Sequence, residues 1–162
     1  MIQRIQSVYL FIAGVLCIVA MFCNAGNFVL GGEVTAYFSN FTFSVTEGSP
    51  LDNYESSGPW ALGVVLAIVA ALSFYTIFIF NHRMLQVRLT VFSTILLVGY
   101  YGAYAFFAWL FNEKINASVN EAVGFQLTAA SILPLLALIF NLLAIRGIRK
   151  DEALVRSLDK IR

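Results

Sequence analysis

Four stretches of this chain, residues 5–32, 56–82, 89–112 and 122–145, contain no Asp, Glu, Lys or Arg. Every formal charge lies outside them. The chain is 60% hydrophobic and only 12% charged, with mean hydropathy +0.83. A water-soluble domain of 162 residues has too little interior to enclose that much apolar surface. Lipid is the solvent the pattern demands. Helices are the form it demands, because hydrocarbon offers no partner to a bare backbone N–H or C=O. The sequence predicts helices over 5–23, 60–80, 89–111 and 125–145. Each has roughly 19 to 23 residues, enough at about 1.5 Å per residue to cover a ~30 Å hydrocarbon core. The expected fold is one all-α membrane domain over 1–162, a four-transmembrane-helix bundle.

Orientation follows from the cations. With four spans the amino terminus, the loop 81–88 and the tail share a side, and that side holds Arg4, Arg83, Arg88, Arg146, Arg149, Lys150, Arg156, Lys160 and Arg162. The other side has only Lys114 among the basic residues, with Glu33, Glu47, Asp52, Glu55, Glu113 and Glu121. The positive-inside rule therefore predicts both termini in the cytoplasm. The first run has some features of a cleavable signal (Arg4, then an apolar stretch ending near Ala25) but is long for one, so it is read as a retained span. Cys17 and Cys23, six apart on that helix, point to different faces, which makes a disulfide between them geometrically poor.

The outer loop 24–59 carries strand signals. Phe28–Leu30, a Gly31-Gly32 turn, and then Phe41, Phe43 and Val45 alternating with Thr42, Ser44 and Thr46 predict an extracytoplasmic β-hairpin or small sheet over the helix ends. Pro59 suits a helix start. Asn40-Phe-Thr and Asn116-Ala-Ser match the glycosylation triplet, a pattern that chance often supplies. Pro134, inside the expected fourth span, would remove a backbone bond to Ala130 and kink the helix there.

Small residues gather on one face of three helices at 100° per residue. They are Ala13, Cys17 and Ala20; Gly63, Ala67, Ala70 and Ala71; and Gly99, Gly102 and Ala103. Such faces let membrane helices approach closely, so they are expected to pack the bundle. Opposite the glycines, the third helix bears Ser93, Tyr100, Tyr104, Phe107 and Phe111. This stripe reads either as a groove for a lipid or quinone or as aromatics set against lipid and neighbours.

No span contains an ionisable acid or base, whereas ion and proton pathways usually keep one. His82 beside Arg83 lacks the second group that acid–base chemistry needs. Metal-ligand clusters, phosphate-binding glycine loops and nucleophile–base pairs are absent from the sequence. No enzyme activity, cofactor, metal or nucleic-acid partner is expected. Charge returns in the tail, where Ile148, Leu154, Val155, Leu158 and Ile161 span about 140° of a continuing helix, with Glu152–Arg156 as an i,i+4 pair. That helix either anchors at the headgroups or docks a partner. The candidate docking residues are Arg83, Arg88, Arg149, Lys150, Asp151, Glu152 and Arg156.

"MIQRIQSVYL" at the start, "FNHRMLQVRL" between spans two and three, and "IRKDEALVRSLDKIR" at the end resemble a four-span family from Bacteroidota, domain of unknown function 4293. That resemblance covers the chain end to end and implies a bacterial inner membrane. It implies no activity, cofactor or catalytic residue. The function expected is that of an interaction or accessory subunit of an envelope complex, with membrane lipids and other envelope proteins as partners. The alternatives are a small transporter, with a polar lining from Thr76, Ser93, Tyr100, Thr128, Ser131 and Asn141, or an interfacial lipid enzyme using Asp52, Tyr54 and Glu55 or His82 and Arg83.

Overall fold

Alternating steps of four and three residues organise the interior. The buried positions include Gln6, Leu10, Ala13, Cys17 and Ala20 on the first helix and Leu62, Leu66, Val69, Ser73 and Thr76 on the second. On the third they run Gln86, Thr90, Ser93, Leu97, Tyr100 and Tyr104, and on the fourth Ala137, Asn141, Ala144, Ile148 and Asp151. That is the heptad spacing by which helices interlock at shallow crossing angles. A computed structural model describes residues 3–46, 58–79, 83–119 and 123–159. The helices are α1 (Gln3–Phe22), α2 (Trp60–Phe78), α3 (Arg83–Val119) and α4 (Leu133–Asp159). Each packs against its two neighbours in the ring α1–α2–α3–α4. All four contain a segment long and apolar enough to cross a membrane: Ile5–Phe22, Trp60–Phe78, Met84–Ala117 and Ala129–Asp151.

Four antiparallel strands cover one end of the bundle: β1 (Asn24–Leu30), β2 (Glu33–Ser39), β3 (Phe43–Val45) and β4 (Gly124–Leu127), in the order β3-β2-β1-β4. Gly31 and Gly32, at φ 61° and 95°, make the two-residue turn, and Leu30 pairs with Glu33 directly beyond it. Positive φ at both central residues matches the strand twist and is available to glycine without strain. The expected hairpin is there.

The fourth strand was expected as helix. Phe125–Leu127 pairs with β1, Phe28 opposite Phe125 and Gly26 opposite Leu127. The fourth helix accordingly begins at Leu133 rather than 125, after an extended Thr128 and a 3-10 turn, Ala129–Ile132. The apolar run gives no break between strand and helix, so hydropathy alone merges them. Pro134 becomes the second residue of α4, where its missing N–H costs no helical bond and its fixed φ suits the start. The expected mid-helix kink has no basis. The third helix also begins earlier than 89 and continues past 111, reaching Val119.

Candidate functional site

Two ends of the bundle gather the polar chemistry, and each is held by one buried side chain. At the tail end, Gln6 Nε2 donates to Asp151 Oδ2 at 2.7 Å, both groups buried. The contact fits because Gly147 has no side chain: a Cβ there would lie 3.0 Å from Gln6 Cγ. Ile148 is sealed beside it. Asp151 therefore points into the bundle, away from the solvent-facing patch in which the sequence suggested it. Arg88, Arg146, Arg149 and Lys150 remain exposed. The described exposed charges at this rim are thus cations.

Beyond Asp151, α4 continues as helix to Asp159, about 12 Å at 1.5 Å per residue. Gln6 lies only three residues from the first described residue of α1, about 4.5 Å by the same measure. The tail helix extends past the described start of its neighbour. The side chains of Arg83, Glu152 and Arg156 lie outside the described residues, as do His82, Asp52, Tyr54 and Glu55.

At the sheet end Asn40 is the tie. Its Nδ2 donates to the Ala20 carbonyl at 2.7 Å, its Oδ1 accepts from the Tyr100 hydroxyl at 2.7 Å, and its carbonyl accepts from Gly63 N at 2.9 Å. Ala20 lies in the last turn of α1 and Gly63 in the first turn of α2, where helical groups lack helical partners. One residue after β2 thus engages the ends of two helices and the middle of a third. At 1% exposure with both amide atoms used, it is closed to glycosylation in the folded chain. Asn116, the other triplet, accepts through Oδ1 from Val123 N at 2.8 Å.

The aromatic stripe of α3 faces inward. The Tyr104 hydroxyl donates to the Ala25 carbonyl and that of Tyr101 to the Ser131 carbonyl. Phe111 stacks on Phe43 with centroids 4.9 Å apart, and Phe38 packs edge-on against Tyr104 and Phe111. The groove proposed for a lipid or quinone is filled by the chain's own sheet. The opposite face is consequently outward: Gly99 and Gly102 are exposed, and a Cβ at either would meet nothing within 4 Å.

The other small residues divide. Ala13, Cys17 and Ala20 are core, and Ala103 is half-buried against it. Ala67 and Ala71 are exposed, and Gly63 receives the ring of Phe41 rather than a helix. Small size marked candidate contacts, but the tyrosine and phenylalanine contacts decided which face of α3 turns in.

The six positions suggested as a transport lining do not form one surface. Tyr100 is committed to Asn40, while Thr128 and Ser131 sit in the corner before α4, with Ser131 donating to the Thr128 carbonyl. Ser93 and Asn141 meet inside the bundle, Asn141 Nδ2 donating to Ser93 Oγ at 3.1 Å, and Thr76 is buried on α2. Sequence reading missed Gln6, Gln86 and Thr90 as interior residues. Spacing was the available signal: Gln86 and Thr90 step by four and three to Ser93, and Gln6 by four and three to Leu10 and Ala13.

With this arrangement in view, the sequence comparison covers nearly the whole chain: residues 2–161 match the family described as Domain of unknown function (DUF4293). The chain belongs to that family. No curated protein matches it. The family match and four membrane-capable helices describe a multi-pass membrane protein. Among the described residues, no group of three or more His, Cys, Asp or Glu gathers to hold a metal.

Proposed function

We propose that this protein is a non-enzymatic accessory subunit of the bacterial inner membrane, with both termini cytoplasmic and the tail of α4 as its docking element. The carrying observation is that α4 runs unbroken to Asp159 while Asp151 and Ile148 fix it against the bundle. A helix that only anchored at headgroups needs no such lock at its root. A helix held at its root presents a defined surface, and exposed Arg146, Arg149 and Lys150 form a cationic rim where it leaves the bundle. Among the described residues the one acid at this rim, Asp151, is turned inward and the exposed charges are cations, which suits an acidic partner surface.

Photo-crosslinkers placed at Arg149 and Lys150 test the reading in intact cells, with one at Lys114 as the opposite-side comparison. A discrete protein adduct from the first two, lost when residues 152–162 are removed, is expected. Adducts with lipid alone would end the proposal. Labelling of a Ser157→Cys variant from outside intact cells would overturn the orientation.

A further inference from the structure

The two edges of the sheet are finished differently. Beyond β3, Thr46 N donates to the Thr35 carbonyl and Thr46 Oγ1 to the Val34 carbonyl, so pairing continues to the end of β2. Backbone at Gly58 presses on β3 so closely that a Cβ there would fall 2.8 Å from Phe43 N. The β4 edge is open. Its pairing phase follows from one bond: Thr128 N donates to the Ala25 carbonyl, and bonded pairs alternate along an antiparallel ladder. With Gln126 opposite Asn27 and Gly124 opposite Val29, the groups of Gln126 and Gly124 turn to β1. The N–H and C=O of Phe125 and Leu127 turn away, and no partner among the described residues takes them. Gly124, Gln126 and Leu127 are exposed, Leu127 at 69%.

Open edges usually carry a guard such as a charge, a proline or a bulge. Residues 123–128, Val-Gly-Phe-Gln-Leu-Thr, have no charge and no proline, and the register with β1 is unbroken. The strand also ends two residues before Ala129, where the fourth membrane-capable segment begins. Towards lipid, bare backbone groups lose the water that would otherwise satisfy them. Donors and acceptors spaced as on an extended chain are met best by another extended chain.

We infer that the β4 edge takes up an extended segment of another protein, which joins the sheet as a further strand through Phe125 and Leu127. The side chains set that segment's chemistry. Leu127 lies on the face of Phe125, which packs on Phe28, whereas Gln126 shares the other face with Asn27 and Tyr37. A fitting strand alternates apolar residues beside Leu127 with neutral polar ones beside Gln126. A second copy of this chain fits poorly. The strands run to and from the bundle, since Asn24 pairs with Ser39 next to the end of α1 and the turn lies at Gly31 and Gly32. Two copies related by a two-fold along the membrane normal would set their β4 strands side by side in one direction, N–H opposite N–H. The inference stands apart from the docking role of the tail.

Amide hydrogen exchange on the detergent-solubilised full chain tests it, with a capped Thr-Val-Thr-Val-Thr-Val peptide as probe and the same peptide N-methylated throughout as control. At saturation the probe is expected to slow exchange of the Phe125 and Leu127 amides at least tenfold. It should leave Gln126, already bonded to β1, within twofold. Leu127→Pro removes only an outward N–H, at an edge position that tolerates proline, and should abolish the protection of Phe125. Leu127→Thr keeps the N–H but not the apolar contact. It should raise the half-saturating concentration at least threefold, and it decides the matter if Leu127→Pro does not fold. Equal exchange with probe and control would overturn the site, as would full protection in both variants. Protection of both amides without peptide would also overturn it: a second copy holds the edge if that protection grows with protein concentration, and the chain itself closes the edge if it does not.

Discussion

On α2 the buried positions read Leu62, Leu66 and Val69 near the sheet, then Ser73 and Thr76 towards the tail end. On α3 they read Tyr104, Tyr100 and Leu97 near the sheet, then Ser93, Thr90 and Gln86. Gln6 and Asp151 complete the tail half, with Asn141 above them. On α2 and α3 the heptad seam is thus aromatic and aliphatic at one end and polar at the other. On α1 and α4, Leu10, Ala144 and Ile148 mix with the polar residues of the tail half. The difference tracks the forces available. Around the sheet, water borders the chain, so enclosing Phe28, Phe38 and Phe43 gains the hydrophobic effect. Between helices in lipid that drive is missing, and close packing and interhelical hydrogen bonds take its place. Polar residues are therefore affordable in the tail half where they find partners.

The largest expected effect tests the sheet half. Phe38→Ala removes a fully buried ring that touches Phe28, Tyr104, Phe111 and Phe125. A loss of about 3–5 kcal/mol in reversible unfolding from micelles is expected. A cost below about 1 kcal/mol would mean the sheet is not packed on the bundle as described.

Next comes Asn40→Leu, which strands the Tyr100 hydroxyl and withdraws the amide from the Ala20 carbonyl. It should cost about 2–4 kcal/mol, given about 1–3 per buried group left unpaired, with increased hydrogen exchange at the ends of α1 and α2.

In the tail half, Gln6→Leu leaves the Asp151 carboxylate without its amide donor and should cost about 1.5–3 kcal/mol. The double variant Gln6→Leu, Asp151→Leu should recover most of that loss, since an apolar pair needs no partner. Failure to recover would show Asp151 engaged elsewhere and would blur the contrast between the halves.

The smallest effect is on the outward face of α3. Gly99→Ala and Gly102→Ala should each be neutral or stabilise by up to about 1 kcal/mol, because alanine favours helix and nothing obstructs its Cβ. Loss of stability or altered oligomeric size on gel filtration would reveal a close partner at those glycines.

Much of this fold was legible before any coordinates. The glycine pair at 31 and 32 placed the hairpin, and the uncharged runs placed four helices, close at the ends of the first two but six or more residues off at both ends of the third and fourth. Residues 125–132 were misread for a physical reason: strand and helix there are both apolar, and β4 forms only because β1 supplies its hydrogen bonds. The candidate site was half legible. Basic residues at the tail end were plain, but nothing local says that Asp151 turns inward, since its partner Gln6 lies 145 residues away.

Charge and hydropathy act residue by residue, so the sequence alone determined how many segments suit lipid and where the cations accumulate. It could not decide which face of each helix turns inward. In water the apolar face marks the core, but here lipid-facing and core-facing surfaces are both apolar. That choice fell to contacts between distant residues: Tyr100 with Asn40, Phe111 with Phe43, Gln6 with Asp151. The same contacts sent the glycines of α3 outward and drew the polar stripe in.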